Sequence, residues 1–187
     1  MSRYISILLA IVCAVGLSVG GAARADQKDP HLNDLFAQLK TATGLLKARA
    51  IEQQIWTIWL QSDDAEVTHL MGDGVEAMNS EDYKTAIADF TKITQLAPDF
   101  AEGWNKRATV LFMVGDYQGS LADVAKTLKL EPRHFGALSG LGLINAQLEH
   151  DEDAIAAFER ALAINPNMPG VIDNIDQLKQ RLKDKQI

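Results

Sequence analysis

Beyond position 30, apolar residues fall three and four apart in short runs, separated by turns carrying Asp, Ser, Gly or Pro, which predicts a succession of amphipathic helices. One period dominates. Pro98, Pro132 and Pro166 stand 34 residues apart, closing the phrases Thr94-Gln95-Leu96-Ala97-Pro98, Leu128-Lys129-Leu130-Glu131-Pro132 and Leu162-Ala163-Ile164-Asn165-Pro166. Counting back gives three windows, 67–100, 101–134 and 135–168. Their fourth position is large (Leu70, Trp104, Leu138) and their eighth small (Gly74, Ala108, Gly142). Their twentieth is small (Ala86, Ser120, Ala154) and their twenty-fourth apolar (Phe90, Val124, Phe158). Small residues at eight and twenty let two antiparallel helices approach closely, while the large ones fill the remaining gap. Proline at thirty-two cannot continue the second helix and turns the chain into the next unit.

Two further segments flank the windows. Leu35, Leu39 and Ala42, then Ile51, Ile55 and Ile58, have helical spacing and occupy equivalent positions of a window opening at Leu32. Leu39 and Ile51 stand where small residues are needed, and no proline closes the unit, so 26–66 is expected to be a degenerate helical pair, more widely packed and filled by Trp56 and Trp59. At the other end, Val171, Ile175, Leu178 and Leu182 make one apolar stripe, with Lys179, Gln180, Arg181 and Lys183 on the other faces. Residues 169–187 thus read as a half-polar helix and tail covering the last repeat.

In register, these residues strongly resemble the tetratricopeptide repeat family. The resemblance implies an all-α fold: a right-handed superhelical solenoid of antiparallel helix pairs, ended by a C-terminal capping helix. It also implies action by binding, with the first helices of successive repeats lining a concave groove for a partner peptide or helix. The groove positions that the family exposes are here Met71, Val75 and Met78, then Asn105, Lys106, Phe112 and Met113, then Ser139, Leu143 and Gln147. Mobile methionines with one aromatic suit an adaptable apolar ligand. The family's carboxylate clamp for chaperone tails is absent, because its positions hold Met71, Val75, Lys106, Gly136 and Gly140.

Residues 1–25 have another character. Arg3 precedes an almost wholly apolar run from Ile5 to Val19, and Ala23-Arg24-Ala25 follows, the layout of a secretory signal peptide cut after Ala25. The run is shorter than the roughly 20 residues that span a bilayer. Cys13, the single cysteine, lies within it, so the exported form has no disulfide to rely on. The chain has no Asn-x-Ser/Thr sequon, which leans toward a bacterial periplasm. Loss of Arg3 and Arg24 takes the net charge from −7 to −9, a poor match for nucleic acid.

Catalytic constellations are absent. His31, His69, His134 and His150 are scattered and read as surface or turn histidines, with no metal-binding pair. Ser139, between Leu138 and Gly140, lies within a helical run and lacks the strand of a nucleophile elbow, and Gly140-Leu141-Gly142 lacks that of a dinucleotide loop. Neither enzyme activity, cofactor nor metal is expected. The expectation is a protein or peptide partner of unknown identity, no nucleic acid and no membrane span after signal cleavage. The role is that of a periplasmic adaptor or assembly factor for the envelope; a self-associating structural subunit and a docking accessory to an envelope enzyme are the alternatives. Oligomeric state is left open.

Overall fold

The computed structural model describes residues 26–185, so the expectations on the leader and its cut after Ala25 lie outside the described residues. A short 3-10 turn, Asp26–Lys28, leads into α1 (His31–Thr41), α2 (Leu45–Trp59), α3 (Ala65–Asn79), α4 (Tyr83–Leu96) and α5 (Ala101–Met113). They are followed by α6 (Tyr117–Leu130), α7 (Phe135–Gln147), α8 (Asp151–Ile164) and α9 (Pro169–Asp184), with no strand among the described residues. None of these helices is long and apolar enough to cross a membrane.

Local chemistry sets the helix starts. Asp64, Asp82 and Asp116 each accept a backbone N–H of the first turn they precede, and His134 does the same for α7 through its ring. Three antiparallel pairs follow, α3–α4, α5–α6 and α7–α8. Their close approach depends on absent side chains: a Cβ on Gly74 would lie 2.7 Å from Phe90, and one on Gly142 2.5 Å from Phe158. Val67, Leu70, Phe90 and Ile93 form the first core, and Ala108, Val124, Ala137 and Ile144 carry it across the second and third repeats.

Polar contacts lock neighbours together. The Arg107 guanidinium grips Asp123 through two nitrogens at 2.6 and 2.8 Å and reaches Thr91 and Thr94, joining α4, α5 and α6. Helix α9 lays Val171, Ile175 and Leu178 on Ala154 and Phe158 of α8. It is pinned where Arg181 and Lys185 meet the buried Asp151 at the start of α8. Burial pushes the Asp151 carboxyl up, but the hydrogen bonds and charges of Arg181 and Lys185 outweigh it and hold it below the usual carboxylate range.

Helices α1 and α2 are a hairpin with its own core, Leu32, Leu35, Phe36 and Leu39 against Ala48, Ile51, Ile55 and Trp59. This pair does not continue the stack onto α3; its broad face lies along the edge where the inter-repeat loops emerge. Gln27 donates to the carbonyl of Asp99, Arg133 donates to Asn33 at 2.8 Å and covers the Phe36 ring, and Asn167 reaches the carbonyl of Ala42. Asp99, Arg133 and Asn167 occupy the same position, thirty-three, of the three windows. Together with the turn that carries Gln27, the hairpin therefore forms a strap that meets all three repeats at this equivalent point, besides its aromatic contacts with His134 and Phe135. Leu39 and Ile51, both buried within the pair, provide the physical reason that it departs from the repeat pattern: their bulk holds the two helices too far apart for the repeat geometry.

Candidate functional site

The strap ends over the first turn of α7. Trp59, 2% exposed, stacks on the His134 ring with centroids 4.2 Å apart and planes 9° from parallel. Trp56 meets Phe135 edge-on at 5.5 Å, lies where a Cβ on Gly136 would stand, and has the Lys106 ammonium 5.7 Å from its ring centre. His134 does stand at the turn before α7, but it is 0% exposed, which corrects the reading of it as a surface histidine. Its Nδ1 accepts the Ala137 N–H at 3.0 Å, so Nε2 carries the proton and donates to Glu102 at 2.9 Å. The Glu102 carboxylate also accepts from Asn105 and pairs with Lys106 at 3.2 Å. Burial raises the Glu102 pKa, but the His134 hydrogen bond and the Lys106 charge prevail and keep it below the ordinary value.

This network occupies residues that the sequence places in an open groove. Lys106 is committed to Glu102 and Trp56, and Asn105 is buried beside them, a correction to both as free groove positions. Met71 is corrected likewise: it lies in the core of the first repeat, with Val75 and Met78 half-buried against that core. The causes differ: Lys106 is held under Trp56 of the strap and by Glu102, whereas Met71 is taken up by the core of its own repeat.

Beyond the strap, none of the described residues covers the face. Asn105, Phe112, Ser139 and Leu143 meet around a cavity of about 230 Å³ between α5, α6 and α7. Its floor is Ala108, Ser120, Val124 and Ile144, all buried; its mouth is formed by Thr109, Phe112, Gly140, Leu143 and Met168. Sequence reasoning missed the floor and Met168, because positions facing the partner helix are ordinarily filled by core packing. Leu143 and Gln147 also border a second cavity, of about 380 Å³, against Asn174, Gln177 and Arg181 of α9. Met113, at the end of α5, is exposed and lines neither. Among the described residues no group of three or more His, Cys, Asp or Glu is placed to hold a metal ion.

A family model described as tetratricopeptide repeat matches residues 105–169. A TPR repeat-containing protein of Rhizobium etli is 35% identical over 152 residues, covering 81% of this chain and 74% of that protein. Tetratricopeptide repeat protein 36 of Xenopus tropicalis is 37% identical over 93 residues, 48% of this chain and 46% of that one. Among solved structures, the first TPR of Spaghetti (RPAP3) bound to the HSP90 peptide SRMEEVD matches with a TM-score of 0.63 and 22% identity, covering 65% of this chain and 96% of that chain. MamA matches with a TM-score of 0.61 and 19% identity, covering 74% and 79%. At such identities these two structures speak for the fold.

Proposed function

Because the chain belongs to the tetratricopeptide repeat family, we propose that it is a non-catalytic interaction module that holds a segment of a partner protein on the open face of α5 and α7, as an adaptor or assembly factor in the bacterial envelope. The observation that carries this reading is the cavity bordered by Asn105, Phe112, Ser139 and Leu143, a concave, largely apolar site on a face that the strap leaves uncovered. The solved Spaghetti domain holds an acidic chaperone peptide. Here the nearby cation, Lys106, is already paired with Glu102, and the chain carries a net charge of −7, so a neutral or basic segment is favoured. The envelope assignment rests on the sequence of residues 1–25.

A photo-crosslinking amino acid at Leu143, compared with one at exposed Gln95 of α4, tests the surface in living cells. We expect one partner to be captured from Leu143 and not from Gln95. In a protein without the crosslinker, the double change Phe112→Ala with Leu143→Ala, both at the mouth of the cavity, should weaken recovery of that partner by about 2–4 kcal/mol, with helicity unchanged. Capture from Gln95 alone, or undiminished recovery by the folded double variant, would move binding off this face.

A further inference from the structure

We infer that the cavity between α5, α6 and α7 is an anchor pocket that receives one large uncharged side chain, leucine, methionine or phenylalanine, from the partner segment. The inference rests on the groove reading and says what that groove recognises. Size is the first argument: an engineered apolar cavity of about 150 Å³ suffices for benzene, and this one has about 230 Å³.

Chemistry is the second. Among the described residues, no charged side chain lines the pocket. Three of its four polar side chains donate internally: Ser120 to the carbonyl of Ala108 at 2.8 Å, Thr109 to that of Asn105 at 2.9 Å, and the Asn105 amide to Glu102 at 3.1 Å. A charged group entering would lose its water without meeting a counter-charge, whereas an apolar one loses nothing.

The third argument is Gly140. A glycine inside a helix is unfavourable relative to alanine, and close packing explains it at Gly142, where Phe158 takes the space. At Gly140 none of the described residues lies within 4 Å of an added Cβ. Gly72 is equally unobstructed but exposed, and it lines no cavity described here, whereas Gly140 forms part of this pocket's mouth. What the missing side chain provides at 140 is the opening.

The test uses purified full chain and acetylated, amidated pentapeptides Gly-Gly-X-Gly-Gly, with X as Leu, Phe, Ala or Asp, followed through the methyl NMR signals of Val124 and Ile144 on the pocket floor. Leu and Phe peptides should shift both residues saturably, Ala should bind roughly tenfold more weakly or worse, and Asp should cause no shift. Gly140→Leu, which fills the mouth, should abolish the response without lowering the melting temperature; Gly140→Ala, one carbon in open space, should weaken it partially. Equal responses to Leu and Ala, or an unchanged response in folded Gly140→Leu, overturns the pocket. If Gly140→Leu still crosslinks its partner from Leu143 in cells, the groove reading stands and the anchor pocket alone is wrong.

Discussion

Trp59→Ala isolates the attachment of the strap. A side chain of this size buries roughly 150–250 Å², which at about 25 cal/mol per Å² corresponds to about 4–6 kcal/mol. The stack on His134 and the contacts with Phe36, Trp56 and Phe135 add to it. Truncations of buried tryptophan commonly cost about 3–5 kcal/mol, and that is the range expected here. Two of the three tryptophans lie on the strap, so a Trp104→Phe background leaves Trp56 as the sole reporter in the Trp59→Ala protein. Denaturant melts should show the cost, and Trp56 emission should shift to the red as its contacts with Phe135 and Lys106 open. The Trp59 indole nitrogen is buried and meets no acceptor among the described residues, so Trp59→Phe removes no hydrogen bond among them and should cost less than half as much. A loss below about 1 kcal/mol with unchanged Trp56 emission would refute the docked position of Trp59.

Gly142→Leu should lower stability by roughly 1–3 kcal/mol, because even its Cβ would press on Phe158. Exposed Gln147→Glu should leave the melting temperature unchanged, and indistinguishable melts of the two would contradict the packing of α7 on α8. Glu102 and Asp151 both titrate below their ordinary values of 4.5 and 3.8. The stability they contribute is therefore full above those values and is lost as the pH falls through the lower folded ones. Urea melts from about pH 5 to 3 should show a shallower decline in Glu102→Gln and Asp151→Asn than in the parent, and parallel declines would count against both networks.

The repeats were legible because their determinants are local. A glycine at position eight and a phenylalanine at twenty-four lie sixteen residues apart and meet within one hairpin, as Gly142 and Phe158 do. The strap was not legible in the same way. Leu35, Ile51 and Ile55 announced two helices, but Trp59 finds its partner in His134, and the residue that fixes Asn33 is Arg133. No periodicity connects such pairs. The same blindness affected the site: Met71, Asn105 and Lys106 carry groove numbering yet are buried or already paired, while Phe112, Ser139 and Leu143 meet at the cavity. The buried His134 was hidden because a histidine at a helix start reads as an exposed cap unless the stacking tryptophan is seen.

A linear array of repeats unfolds by nearest-neighbour rules: each unit feels only the next, and fraying can begin at either end. The three loop contacts of the strap join residues 72, 100 and 125 apart in sequence. They couple the first repeat to the third without passing through the second. Loss of the strap from one loop weakens its hold on the others, so partial unfolding of an end carries a penalty felt along the whole array. Long-range closures of this kind also have to be made late in folding, after the entropy of large loops has been overcome. The array should consequently melt as a single cooperative unit and fold more slowly than its local helix pairs alone would dictate, with the strap docking last.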